Sequence, residues 1–137
     1  MLGQNQVRQV STKESHFWPS EANSKTFNVF TYDFGIKYNI LRIMTNLGMS
    51  VTLKTWNTNF EEVKGTNPHG IFLSNGPGEP AAVNEAVEAV RKLLGKLPIF
   101  VICLGHQILS LALGCQTYKS ACGHHGGNHP VIDFSIN

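Results

Sequence analysis

The sequence predicts an α/β domain with a three-layer, doubly wound, mostly parallel sheet, on three observations. Strand-like and helix-like segments alternate from Phe27 onward, the pattern of a parallel sheet with helices on both faces. One of the strands, "LPIFVIC" at 97–103, is apolar without alternation, as expected of a strand covered on both sides. Three turn segments, "DFGIKYN", "NGPGEP" and "CLGHQ", each follow a strand, so all three should meet at the carboxyl edge, where ligands bind in such sheets.

Taken in order, residues 1–26 are polar, hold Pro19 and several serines, and show no sustained period, so they are expected to be a linker or tail. "FNVFTYD" is rich in aromatic and β-branched residues and predicts the first strand. Ile36, Ile40, Met44 and Leu47 recur at helical spacing after it, and Gly48 closes that helix. "SVTLKTW" alternates as a second strand, with a short helix expected near 60–64, and "GIFLSN" is a third. Val83, Ala86, Val87, Val90 and Leu94 form one apolar helix face, with Glu88 and Lys92 expected to pair across a turn on the other. After "LPIFVIC" the segment 105–113 is apolar nearly all round and reads as a buried helix, "QTYK" as a further strand, and "HPVIDFSIN" as the start of one more.

The bulk properties narrow the function classes. A chain of 137 residues with 42% apolar and 15% charged residues can bury one real core. A formal charge of +2 with scattered lysines leaves no basic stripe for nucleic acid, and no apolar run reaches the length of a membrane span. Three cysteines cannot all pair, and "MLGQNQVRQVSTKESHF" has no apolar signal core. A reducing, cytoplasmic setting is therefore expected, with a mitochondrial one as the alternative.

Chemistry concentrates on Cys103. It ends a strand and opens a helix, a turn that exposes a nucleophile and lets the helix N-terminus favour a thiolate; Gly105 supplies the small residue such a turn needs downstream. The same position also suits a small buried hydrophobe. "NGPGEP" could aim backbone N–H groups at an oxyanion or be a plain turn, and it fits neither a dinucleotide fingerprint nor a P-loop. His106 is expected as a partly buried packing residue. Cys115, Cys122, His124, His125 and His129 crowd one stretch, but without paired ligand spacing, so no metal is expected.

Together "YDFGIKYNILR", "GIFLSNGPGEP", "PIFVICLGHQILSLALG", "TYK" and "GHHGGNHPV" resemble the class I glutamine amidotransferase domain, flavodoxin-like in fold, of the carbamoyl phosphate synthetase glutaminase region. The resemblance covers Phe27 to Asp133, and "VSTK" at 10–13 is similar to the linker that precedes this domain in fused eukaryotic forms. It implies hydrolysis of glutamine to glutamate and ammonia, and a large synthetase subunit or synthetase domain as partner. That partner uses ATP and bicarbonate, so this domain needs no cofactor of its own. Residue by residue, it makes Cys103 the nucleophile, gives Leu104 and Gly78 the oxyanion N–H groups, and lines the glutamine pocket with Gly76, Gly78, Leu104 and Gln107.

Two departures qualify the match. Val101 stands where the family has a glycine, and its branched side chain is expected to crowd the turn and shift the thiol. No His-x-Glu pair, the family's base and orienting acid, follows Cys103; a glutamine-binding "NHG" segment and the small subunit's folded N-terminal domain are missing too. The expectation is thus a truncated domain, 27–137, inactive alone. The alternative is a non-catalytic scaffold that binds a synthetase.

Overall fold

The computed structural model describes residues 5–19, 27–119, 132–133 and 135–136. Its elements run α1 (Val7–Val10), β1 (His16–Phe17), β2 (Phe27–Asp33), α2 (Tyr38–Asn46), β3 (Met49–Thr55), α3 (Phe60–Gly65), β4 (Gly70–Leu73), a 3-10 turn (Pro80–Ala82), α4 (Asn84–Leu93), β5 (Ile99–Val101) and α5 (Leu104–Ala112). The sheet order is β1-β3-β2-β4-β5. Every pairing is parallel except β1 with β3, where His16 faces Leu53 and Phe17 faces Thr52. From β2 the chain moves one way to β3 and then crosses to β4 on the other side. The carboxyl ends of β2 and β4 therefore flank a topological switch point, the crevice where open α/β sheets bind ligands.

Period-2 side chains divide the core into two layers. Phe30, Tyr32, Phe34, Ile71 and Leu73 lie in the larger layer with Val63 of α3, the apolar face of α4, and Leu104, Ile108 and Ala112 of α5. Val51, Leu53 and Phe72 lie in the smaller one with Ile36 and with Leu41 and Met44 of α2. The helical spacing read for α2 and α4 thus marks their buried faces, except that Leu47, at the C-terminal end of α2, is 70% exposed. On α4 the outward ion pair joins Glu88 to Arg91, three residues on, and not to Lys92. Arg91 is drawn there because it also donates from Nε to the Ala112 carbonyl and caps the C-terminal end of α5.

Four further expectations differ from the structure. Within the stretch read as a linker or tail, Val7 of α1 is 1% exposed in the larger core and residues 16–17 pair with β3 as a strand. Next, β5 is not covered on both faces. Among the described residues it lies at the sheet edge, and Phe100 is 67% exposed, stacked only on Phe72. Only one side of α5 is buried, through Leu104, Gly105, Ile108 and Ala112. Residues 116–119 form no strand. The segments "GHHGGNHPV" and, for the most part, "HPVIDFSIN" lie outside the described residues.

Tyr32 sits fully buried in the central strand, its hydroxyl donating to the Thr58 carbonyl at 2.9 Å. Burial, with the Glu62 carboxylate adding to it, pushes the phenol well above its ordinary value of 10.0. Above that pH the unfolded chain loses this proton while the folded chain keeps it, so stability falls as pH rises. Urea melts across the alkaline range should show Tyr32→Phe losing less stability with pH than the parent, after a cost of about 1 kcal/mol at neutral pH from the orphaned carbonyl. Parallel profiles for the two proteins would contradict this account.

Candidate functional site

Three loops converge at the carboxyl edge, each leaving a parallel strand. After β2 the Asp33 carboxylate accepts from Gly35 and Ile36 N–H through Oδ1 and from Thr12 N–H through Oδ2, at 2.7–2.9 Å. This closes the β2–α2 turn and ties residue 12 to it. After β4 the Ser74 hydroxyl accepts from Phe34 N–H and donates to the Asn75 carbonyl. Asn75 then bridges back, its amide donating to the Gly35 carbonyl and its Oδ1 accepting from Lys37 N–H.

The third loop is the Cys103 turn. Ile102 N–H donates to the Leu73 carbonyl, and Gly105 N–H donates to the Ser74 carbonyl at 3.1 Å, so the first turn of α5 is moored to the end of β4. Cys103 itself has φ 54° and ψ −112°, a conformation non-glycine residues adopt at a cost of roughly 1–3 kcal/mol and usually at functional positions. Its thiol is exposed at the N-cap of α5. The core-residue reading of this cysteine is therefore excluded by its position. The turn forms with Val101 in place: Val101 pairs with Leu73 and packs half-buried on the larger core.

Two glycines permit the convergence. A methyl group on Gly105 would lie 2.3 Å from the Leu73 carbonyl oxygen, and one on Gly76 would lie 2.1 Å from that of Phe34. Both contacts are with backbone, which cannot swing aside. Gly76 is half-buried and Gly78, at φ 95°, is exposed on the same loop. Leu104 is buried, while its N–H and that of Gly78 enter none of the hydrogen bonds among the described residues. Gln107 is exposed one turn into α5, its N–H bonded to the Cys103 carbonyl. His106, expected as a partly buried packing residue, is exposed instead because Gly105 is the residue turned onto β4.

Sequence reasoning missed Ser74 as the junction of the three loops and residues 6–12 as part of this edge. Val7 and Val10, one turn apart in an otherwise polar stretch, were the available signal. Two cavities, of about 360 Å³ beside β1 and about 180 Å³ around Asp33 and Trp18, are not lined by Cys103. No cluster of metal-ligating side chains occurs among the described residues, which omit Cys122, His124, His125 and His129. Nor is any described helix long and apolar enough to cross a membrane.

A doubly wound sheet with a strained cysteine between strand and helix, beside a glycine loop, defines a class, and the comparisons agree. The family model for class-I glutamine amidotransferases matches residues 30–136, and the chain belongs to that family. Within it, the chain is homologous to carbamoyl phosphate synthase small chains: 47% identical to that of Pasteurella multocida over 98% of this chain, and 51% identical to the chloroplastic one of Oryza sativa over 82%. It spans 38% and 25% of those relatives' own lengths. A crystal structure described as a GMP synthase component from Thermoplasma acidophilum shares the fold, with a TM-score of 0.63 and 21% identity over 76% of this chain and 53% of that one.

The turn geometry makes two stability changes of opposite sign. Cys103→Gly should raise the stability measured in urea by about 1 kcal/mol, since glycine adopts this conformation freely. Gly105→Ala should lower it by about 2 kcal/mol or more, because the new carbon meets a carbonyl. A destabilised Cys103→Gly together with a neutral Gly105→Ala would mean that the turn is built differently.

Proposed function

We propose that this chain is the nucleophile-bearing part of a glutaminase that supplies ammonia to a carbamoyl phosphate synthase. The observation that carries this reading is the strained, exposed Cys103 at the N-terminus of α5, moored to β4 beside the Gly76–Gly78 loop. Homology to small chains supports it, and a large synthetase subunit is the partner class that this reading implies.

In this reading the glutamine side chain lies between Cys103 and the loop, bordered by Gly76, Gly78, Leu104 and Gln107. The Sγ–C bond forms as the carbonyl π pair moves onto oxygen, where the N–H groups of Leu104 and Gly78 receive the charge. Collapse of that adduct breaks the C–N bond, and the amide nitrogen leaves as ammonia after taking a proton. Water then cleaves the thioester and releases glutamate. The base that deprotonates the thiol would belong to a His-x-Glu pair, and none occurs in residues 104–137. A second reading is a domain that binds a synthetase without hydrolysing glutamine.

One experiment separates the two. A chloroketone analogue of glutamine should alkylate the folded chain at Cys103, free glutamine should slow the reaction, and Cys103→Ala should abolish it. Glutamate release, measured beside it, reports whether turnover follows alkylation competence. Alkylation of Cys115 instead, or at a rate indifferent to glutamine, would leave the scaffold reading.

A further inference from the structure

The loop proposed to hold the oxyanion is tethered tightly up to Gly76 and loosely beyond it. Asn75 is bonded on both sides and Gly76 is pressed on Phe34, but Pro77, Gly78 and Glu79 are exposed, and the loop is held again from the Glu79 carbonyl, which accepts from Ala82 N–H, and from buried Pro80. What lies over this gap is the segment 5–12. A methyl group placed on Gly78 would lie 3.4 Å from Gln6 Cβ, 3.6 Å from its Oε1 and 3.8 Å from its Cγ. One placed on Gly35 would lie 2.8 Å from Val10 Cγ2, 3.1 Å from Pro77 Cδ and 3.6 Å from Gly76 Cα, so Val10, Pro77 and both glycines meet at one point.

The segment is itself well fastened. Val7 is buried in the larger core, Ser11 Oγ accepts from Trp56 N–H at 3.2 Å, and Thr12 N–H donates to Asp33 Oδ2 at 2.7 Å. Between them the α1 turn holds Gln6 at its N-cap and Val10 at its last position. A fixed element that leaves room for no more than a methyl group beside a glycine with φ 95° limits the peptide rotations open to it, and an oxyanion donor is effective only when held in place before the reaction.

We propose that residues 5–12 form a strap that seats the outer half of the Gly76–Gly78 loop, with Gln6 the positioning residue for the Gly78 N–H. The proposal deepens the glutaminase reading and rests on it. It assigns to the stretch before the amidotransferase core a part in shaping the site, through contact with the loop and not with the substrate.

The test compares two reagents on the full chain. Glutamate γ-semialdehyde forms a reversible adduct in which the Cys103 Sγ–C bond is made, the π pair becomes an oxyanion, the thiol proton passes to solvent, and no group leaves. Iodoacetamide alkylates the same thiol by displacing iodide and develops no oxyanion. Gln6→Gly should weaken the aldehyde adduct about tenfold while the iodoacetamide rate stays within a factor of about two. Gln6→Met, which keeps the Cβ and Cγ contacts, should restore most of the adduct. Equal aldehyde affinity in Gln6→Gly and the parent overturns the strap, as does a parallel loss with both reagents, which would mark a general loosening of the fold. No aldehyde adduct in the parent, with iodoacetamide still reacting at Cys103, removes the oxyanion reading itself, and the strap falls with it.

Discussion

The carboxyl edge of this sheet depends on Ser74. Its carbonyl takes the Gly105 N–H, its hydroxyl takes the Phe34 N–H, and the same hydroxyl donates to the Asn75 carbonyl. Ser74 is fully buried, so water cannot replace any of these partners, and each broken bond would leave a desolvated polar group. One residue thereby fixes where β2 turns, where the glycine loop begins and where α5 starts. The strain at Cys103 is sustained for the same reason. Its helix is moored at Gly105 and its strand at Ile102, leaving the residue between them little choice of backbone conformation.

Close backbone approach is the second constraint, and it follows from the first. Loops that share one small junction must pass within contact of neighbouring carbonyls, and only glycine has room to do so at 76 and 105. Backbone hydrogen bonding and glycine packing, not side-chain chemistry, thus hold the thiol and the loop amides at one edge. The side chains that could bind or react sit on this framework, exposed and largely unengaged, at Cys103, His106 and Gln107.

Most of this was legible in the sequence where periodicity or a motif spoke. The apolar spacings of α2 and α4, the strand character of β2 to β4, and the strand–cysteine–helix turn all follow from local patterns that tertiary contacts reinforce. The misreadings have physical causes. Six apolar or β-strand-forming residues in "LPIFVIC" indicate a strand but not its neighbours, and Phe100 is left open because nothing described lies beyond β5. The polar composition of residues 5–17 hid their role, since one buried valine, hydrogen bonds at Ser11 and Thr12, and a two-residue strand pairing suffice to dock so short a stretch on a preformed sheet. Val101 packs half-buried against the larger core beneath β5. Ser74 could not be singled out at all, because its importance lies in four partners, Tyr32, Phe34, Asn75 and Gly105, three of them distant along the chain.

The placement of Val7 bears on how the chain is made. The apolar cluster that receives it is completed by Leu104, Ile108 and Ala112, while Thr12 and Ser11 need Asp33 and Trp56. During synthesis residues 7–12 therefore emerge well before any surface they can settle on, and they stay available to solvent or a chaperone until α5 leaves the ribosome. Residues 7–12 precede in the chain every element they dock on, so their docking reports that the central layers have already assembled.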